Sequence, residues 1–274
     1  MQNAKTTSSV ENKVGAAVAT DHPICSQVGV TILREGGNAA DAAIASTLCL
    51  GVVNPTSSGI GGGAFILVHS IARKANDMDS NGSGSSPPFE DARTRPDRLR
   101  DRNVVRDSIP TKSHSPTQNR KVTEFIDCRE TAPKASTYDM YKSNSTLSTV
   151  GGLSVAIPGE LRGLELLHSR FGKLPWSNLV RPAMELARDG FQVGPHLAKS
   201  IKEKEKYIRS MPNLGHLLTK NNDGVTLLKE GDTMVRSQYA KTLEAIMNGG
   251  GDVLYHGDIA SMLAKVRAEL DLFI

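Results

Sequence analysis

Two short segments of the 274-residue chain hold the residue types that can do chemistry. The first, Asn54-Pro-Thr-Ser-Ser-Gly-Ile-Gly-Gly-Gly-Ala-Phe65, puts four glycines at the entrance to an apolar run. The second is Asp127-Cys-Arg-Glu-Thr-Ala-Pro133. Alternation along Val122 to Arg129 sets Thr123, Phe125, Asp127 and Arg129 on one strand face and Val122, Glu124, Ile126 and Cys128 on the other. Arg129 therefore ends a strand, where its guanidinium fork can grip a carboxylate through two parallel hydrogen bonds. An ordinary ion pair with Asp127 or Glu130 satisfies the same residues, and the two readings stay open side by side.

Gly59, Gly61, Gly62 and Gly63 invite a phosphate-binding reading, but phosphate cradles run strand, glycine loop, helix. Here the order is helix, glycine loop, strand, and no Lys-Ser or Lys-Thr follows. The missing Cβ atoms instead allow unusual backbone or close packing at a strand entrance, which is compatible with shaping a neighbouring site.

The elements that position these residues are legible around them. Ala16 to Thr20 reads as a short strand turning at Asp21-His22-Pro23. Ser26 to Glu35 reads as a helix with Val28, Ile32 and Leu33 on one face, stopped by Gly36-Gly37. Asn38 caps a second helix from Ala39 to about Leu50, apolar nearly all round and hence buried on several sides, which Asn54-Pro55 ends. Ala64 to His69 reads as a strand buried on both faces. Later, Gly159-Glu160 opens a helix bearing Leu164, Leu167 and Phe171, and Ser177 caps the next, with Val180, Met184 and Ala187 inward as far as Gly190. His168 reads as a surface or packing histidine rather than a ligand, and Trp176 as a pin between those two helices. Ser200 to Ser210 and Thr233 to Met247 read as charged, half-buried helices.

Composition sets the outer limits. With 38% apolar and 23% charged residues and a net charge of +4, the chain has no case for nucleic acid, and no stretch is apolar enough to span a membrane. Residues 1–14 carry no apolar core of a signal peptide and read as a disordered leader. Three cysteines, with no Cys-x-x-Cys or His-x-x-x-His spacing, indicate neither a zinc site nor any other metal, and no cofactor is implied. Residues 74–120 read as a disordered polar insertion whose six arginines between Arg93 and Arg106 are interleaved with Asp97 and Asp101. The ordered parts are then residues 15–73, a helical hairpin and buried strand, and residues 121–274.

Several blocks resemble the γ-glutamyltransferase (glutathione hydrolase) family in one order, the eukaryotic members above all. They are Cys25-Ser-Gln-Val-Gly29, Gly36-Gly-Asn-Ala-Ala-Asp-Ala-Ala43, Ser58-Gly-Ile-Gly-Gly-Gly63 and Arg129-Glu-Thr-Ala-Pro133, followed by Gly151 to Glu160, Gly172 to Trp176, Leu186 to Phe191 and Gly249 to Gly257. The resemblance implies the large-subunit portion of an α/β N-terminal nucleophile hydrolase, an αββα sandwich acting on glutathione and γ-glutamyl peptides. It implies that a precursor cuts itself and that the small subunit, the partner, brings an N-terminal threonine as nucleophile. By resemblance Arg129 binds the α-carboxylate of the γ-glutamyl group. Cys25 and Cys49 are by resemblance bridged, and two antiparallel helices joined at Gly36-Gly37 bring them within reach. Such a protein belongs to the extracellular face of the plasma membrane or the secretory route. The sequons at Asn81 and Asn144 do not bear on this.

One departure stands out. The family's Thr-Thr-His motif has no counterpart here, since Thr6-Thr7 is followed by Ser8-Ser9. No catalytic residue is therefore assigned in this chain, and the expectation is an incomplete enzyme, inactive alone. The alternative is a non-catalytic binding or regulatory relative of the large subunit, and a cephalosporin acylase-like relative is a third reading.

Overall fold

The computed structural model describes residues 15–71 and 121–271. The expected leader and polar insertion lie outside the described residues. Helix α1 spans Pro23–Arg34 and starts earlier than Ser26, because Pro23 needs no N–H partner in the first turn and His22 Nδ1 accepts from the Ile24 amide at 3.3 Å. Ala16 to Thr20 does not form the expected strand. It has no ladder partner among the described residues, and Thr20 instead donates its amide to Ser26 Oγ at 3.1 Å. The buried side of α1 is Cys25, Gly29 and Ile32, with Val28 and Leu33 only partly covered.

Helix α2, Ala39–Val53, is the central element. Asn38 Oδ1 accepts from the amides of Ala40 and Asp41, and Asp41 Oδ2 accepts from the Asn38 amide in return. Asp41 is fully buried and also accepts from the backbone of Lys173 and Leu174, which ties the start of α2 to a distant turn. Ile44, Leu48 and Val52 are buried against neighbours on several sides, as an apolar circumference requires. A disulfide joins Cys25 to Cys49 with Cα atoms 5.4 Å apart.

Strand β1, Ala64–Ile71, pairs antiparallel with β2, Lys121–Cys128, in a register that sets Ala64 opposite Cys128. The expected parity of β2 holds: Ile126 and Cys128 are buried while Phe125 faces out. The expectation that β1 is buried on both faces does not hold, since Phe65 and Leu67 are 63% and 71% exposed. Among the described residues the ribbon has two strands and helical cover on one side, so only alternate residues find a core.

Helix α3, Glu160–Phe171, covers that inner face, and α4, Trp176–Asp189, packs against α2. Ser177 is not the cap of α4. The helix begins one residue earlier, behind Pro175, with φ already at −54°. Trp176 does pin the junction, donating Nε1–H to the Ile246 carbonyl at 3.0 Å and meeting His168 edge-on. His168 contacts the Leu174 carbonyl through Nε2 at 2.8 Å and is a packing residue. Beyond it run β3 (Phe191–Gln192), α5 (Pro195–Glu203), α6 (Glu205–Ser210), α7 (Pro212–Leu217), β4 (Thr233–Met234), α8 (Ser237–Gly249), α9 (Asp252–Tyr255) and α10 (Gly257–Asp271). The expected helix at Ser200–Ser210 is thus split at Lys204, and Thr233–Met247 opens as a strand paired with β3 before turning helical at Ser237.

Candidate functional site

A cavity of about 400 Å³ opens where the end of α2, the 55–63 loop, the end of β2 and the first turns of α3 and α8 converge. Its construction explains two of the glycines. A Cβ on Gly63 would lie 2.6 Å from Arg129 Cα, and one on Gly159 would lie 2.4 Å from the Cys128 carbonyl oxygen. The backbone at Arg129 thus passes between two residues that must lack side chains. The loop is fastened as well: the Gly62 carbonyl accepts from the amides of Gly159 and Glu160 at 2.9 and 3.0 Å, and the Gly62 amide donates to Gly59 O.

Arg129 lies one residue past β2, with its side chain about half exposed on the cavity wall. Its Nη2 meets Glu130 Oε2 at 3.0 Å, its Nη1 donates weakly to Gly63 O at 3.4 Å, and its guanidinium lies over the Phe65 ring. Of the two anticipated acidic neighbours, Glu130 takes the guanidinium, while Asp127 Oδ1 accepts the Arg129 backbone amide.

Three further residues of the cavity were assigned no role in the site from sequence. Arg236 Nη1 donates to the carbonyls of Gly51 and Val52 at 2.6 and 2.9 Å, closing the last turn of α2, and its plane stacks 4.2 Å from the Tyr239 ring centroid. Burial lowers the pKa of Arg236 and pushes that of Tyr239 up to about 12. Glu160 is 4% exposed at the first position of α3. Burial above all, with repulsion from Glu130, raises its carboxyl to about 7 against the opposing N–H of Gly59. Glu160 Oε1 and Arg236 Nε are buried and have no hydrogen-bond partner among the described residues. A glutamate in the first turn of a helix is commonplace, so only its burial distinguishes it. Arg236 sits far along the chain, in no motif.

The remaining expected residues are placed as follows. The Cys25–Cys49 bridge ties α1 to the helix whose far end forms the cavity wall, and Cys128, the third cysteine, is buried with its thiol donating to Ala64 O at 3.0 Å. Ser57, on the cavity wall, meets His196 Nε2 through Oγ at 3.2 Å in an exposed pair. Among the described residues, no three His, Cys, Asp or Glu side chains are grouped to hold a metal.

The helical layer on one face of an antiparallel ribbon matches the large-subunit portion of the N-terminal nucleophile hydrolase fold in solved gamma-glutamyltranspeptidases. The family model described as gamma-glutamyltranspeptidase matches residues 25–95 and 115–270, and the chain belongs to that family. It is 38% identical over 248 residues to Scoloptoxin SSD14 of Scolopendra dehaani, covering 90% of this chain and 35% of that protein. It is 36% identical over 260 residues to Glutathione hydrolase 3 of Arabidopsis thaliana, covering 95% of this chain and 33% of the relative. The crystal structure of Helicobacter pylori gamma-glutamyltranspeptidase superposes with a TM-score of 0.70 at 27% identity, covering 93% of this chain and 60% of that one. The chain therefore spans about a third of the length of the curated relatives it matches.

Proposed function

We propose that this chain supplies the γ-glutamyl-binding wall of a glutathione hydrolase, with Arg129 holding the substrate α-carboxylate. The observation that carries the reading is the Arg129 fork, half exposed on a cavity wall and held there by backbone squeezed between Gly63 and Gly159. Its pairing with Glu130 is partly solvated and worth at most about 1 kcal/mol, so a carboxylate offering two parallel hydrogen bonds can compete for it. The family membership and the glutathione hydrolase among its relatives support the substrate class.

In this reading the nucleophile is the N-terminal threonine of a small subunit cut from the same precursor. That hydroxyl, with its own α-amine as base, attacks the γ-glutamyl amide carbonyl. The amine side of the substrate leaves, and the acyl group passes to water or a peptide. The exposed Phe65, Leu67 and Phe125 on the outer face of the ribbon support a second layer there. The Cys25–Cys49 bridge supports an oxidising compartment, hence the cell exterior or secretory route.

The test joins this chain to the threonine-bearing segment of a relative and compares Arg129→Lys with the parent. Lysine keeps the charge but loses the fork, so kcat/KM on a γ-glutamyl anilide should fall by about 2–4 kcal/mol in transition-state terms. A substrate lacking the α-carboxylate should be turned over alike by both. Equal losses on the two substrates would sink the reading.

A further inference from the structure

Tyr255, in the short helix α9, does not line the cavity and has no part in the chemistry proposed above, yet its hydroxyl ends on the segment that seats Arg129. Tyr255 Oη donates to the Pro158 carbonyl at 3.0 Å. Residues 157–160 form a strap along the end of β2. The Ile157 amide donates to Thr131 O at 2.8 Å and the Thr131 amide to Ile157 O at 3.1 Å, while the amides of Gly159 and Glu160 hold the Gly62 carbonyl. At Gly159 the strap lies so close that an added Cβ would come within 2.4 Å of the Cys128 carbonyl oxygen and 2.5 Å of that of Arg129. Close packing leaves no slack there, so the backbone of Arg129 follows the strap. Tyr255 is in turn braced on α3. The Arg162 guanidinium lies 4.4 Å from the centroid of its ring and also bonds Glu165 Oε2 at 3.0 Å and Asp252 Oδ1 at 2.6 Å. Glu165 Oε1 accepts the amide of Gly251, the residue before α9. Arg162 and Glu165 thus clamp α9 to α3, and Tyr255 reaches back from it to the strap that leads into the same helix.

We infer that Tyr255 is a positioning residue for carboxylate recognition: its hydroxyl, braced by the clamp of Arg162, Glu165 and Asp252, holds the 157–160 strap against the backbone of Arg129 and so fixes where the guanidinium fork points. With no side chain at Gly159 to wedge the contact, the strap is kept in place by its hydrogen bonds, and Tyr255 supplies one of them from about a hundred residues further along the chain. Removing the hydroxyl leaves the half-buried Pro158 carbonyl short of that donor while the ring can stay under Arg162. A fork that must meet two carboxylate oxygens at once is sensitive to a small displacement, whereas plain charge attraction is not. The consequence for substrate rests on the Arg129 reading above. The placement of the strap does not.

Two measurements on Tyr255→Phe separate them. In the ¹⁵N-labelled 274-residue chain the amide signals of Gly159 and Arg129 should be displaced, and finding both unmoved would overturn the proposal. In the enzyme completed with a threonine-bearing segment, KM for a γ-glutamyl anilide should rise about fivefold with kcat within about twofold of the parent, while a substrate lacking the α-carboxylate is handled alike by both. An unchanged KM, or an equal rise on the two substrates, would overturn the coupling to Arg129. In an Arg129→Lys background the same substitution should add little, since the fork it positions is gone, and a second full fivefold rise there would also overturn it. Asp252→Ala, at an exposed position, removes one arm of the clamp and should give a smaller KM rise of the same selectivity. It serves if Tyr255→Phe does not fold, and an unchanged KM would then count equally against the proposal. Failure of the carboxylate reading itself is seen separately, as equal losses on the two substrates in Arg129→Lys.

Discussion

The two faces of the β1–β2 ribbon are built from alternate residues of the same strands and have opposite fates. Inward, Ile126 is fully buried and Cys128 nearly so, closed over by α3 so tightly that Gly163 leaves no room for a Cβ beside the Cys128 sulfur. Outward, Phe65 and Phe125 stack with ring centroids 5.7 Å apart, yet stay 63% and 42% exposed, and the row ends at Arg129. Burial energy is thus concentrated on one side, while the proposed recognition chemistry of Arg129 is on the other. The face that holds the fold together is the one whose substitution should be costly. The face that carries Arg129 should be nearly silent in stability.

The sharpest contrast is expected from Ile126→Ala. Removing a fully buried isoleucine side chain should cost about 2–5 kcal/mol, read as a lower denaturant midpoint at unchanged slope. A loss under about 1 kcal/mol would mean that the inner face is not the core side of the ribbon.

Next in size is the pH term from Glu160. Its carboxyl is raised from 4.5 to about 7 on folding, so the folded state binds its proton more tightly than the unfolded one. The stabilisation is full below pH 4.5 and is lost as pH rises to about 7, amounting to at most about 3 kcal/mol. Glu160→Gln should remove this slope, leaving the variant more stable relative to the parent at pH 8 than at pH 5. Unfolding curves at the two pH values check it, and parallel shifts of both proteins would refute it.

Gly63→Ala sits at the boundary between the faces. Its new methyl meets backbone rather than a movable side chain, so a loss of about 1–3 kcal/mol is expected, together with displaced amide signals at Arg129 and Glu130. Smallest of all, Leu67→Ser on the outer face should change stability by less than about 0.5 kcal/mol while reducing light scattering of the isolated chain. A large destabilisation there would erase the distinction between the faces.

Much of this arrangement was readable from local pattern, and the exceptions share a cause. The helices α1 to α4, the parity of β2 and the position of Arg129 follow from periodicity and caps that act over a few residues. The pairing of Cys25 with Cys49 followed from family likeness and a hairpin of two helices. Periodicity failed where cover is decided by distant chain. Ala64–His69 reads as doubly buried because it is uniformly apolar, but apolar residues cannot report that one side of a ribbon is open. Ala16–Thr20 has strand composition and no neighbour to pair with among the described residues. Ser177 has capping chemistry, but Pro175 had already set the helical φ. Glu160 and Arg236 are recognisable only after folding, because burial and unpaired atoms are properties of the assembled cavity and not of any spacing.

Arg236 has one more consequence, for the order in which the molecule forms. It closes the end of α2 from 185 residues downstream, whereas the Cys25–Cys49 bridge spans only 24. Short loops close at less entropic cost than long ones, so the α1–α2 hairpin can form early while its far end stays frayed until α8 arrives. The cavity is then a late product of folding. Pulse-labelled hydrogen exchange should find the amides of α1 and the middle of α2 protected well before those of residues 59–62, and a vectorially made chain must wait for Arg236 and Tyr239 before the cavity is complete.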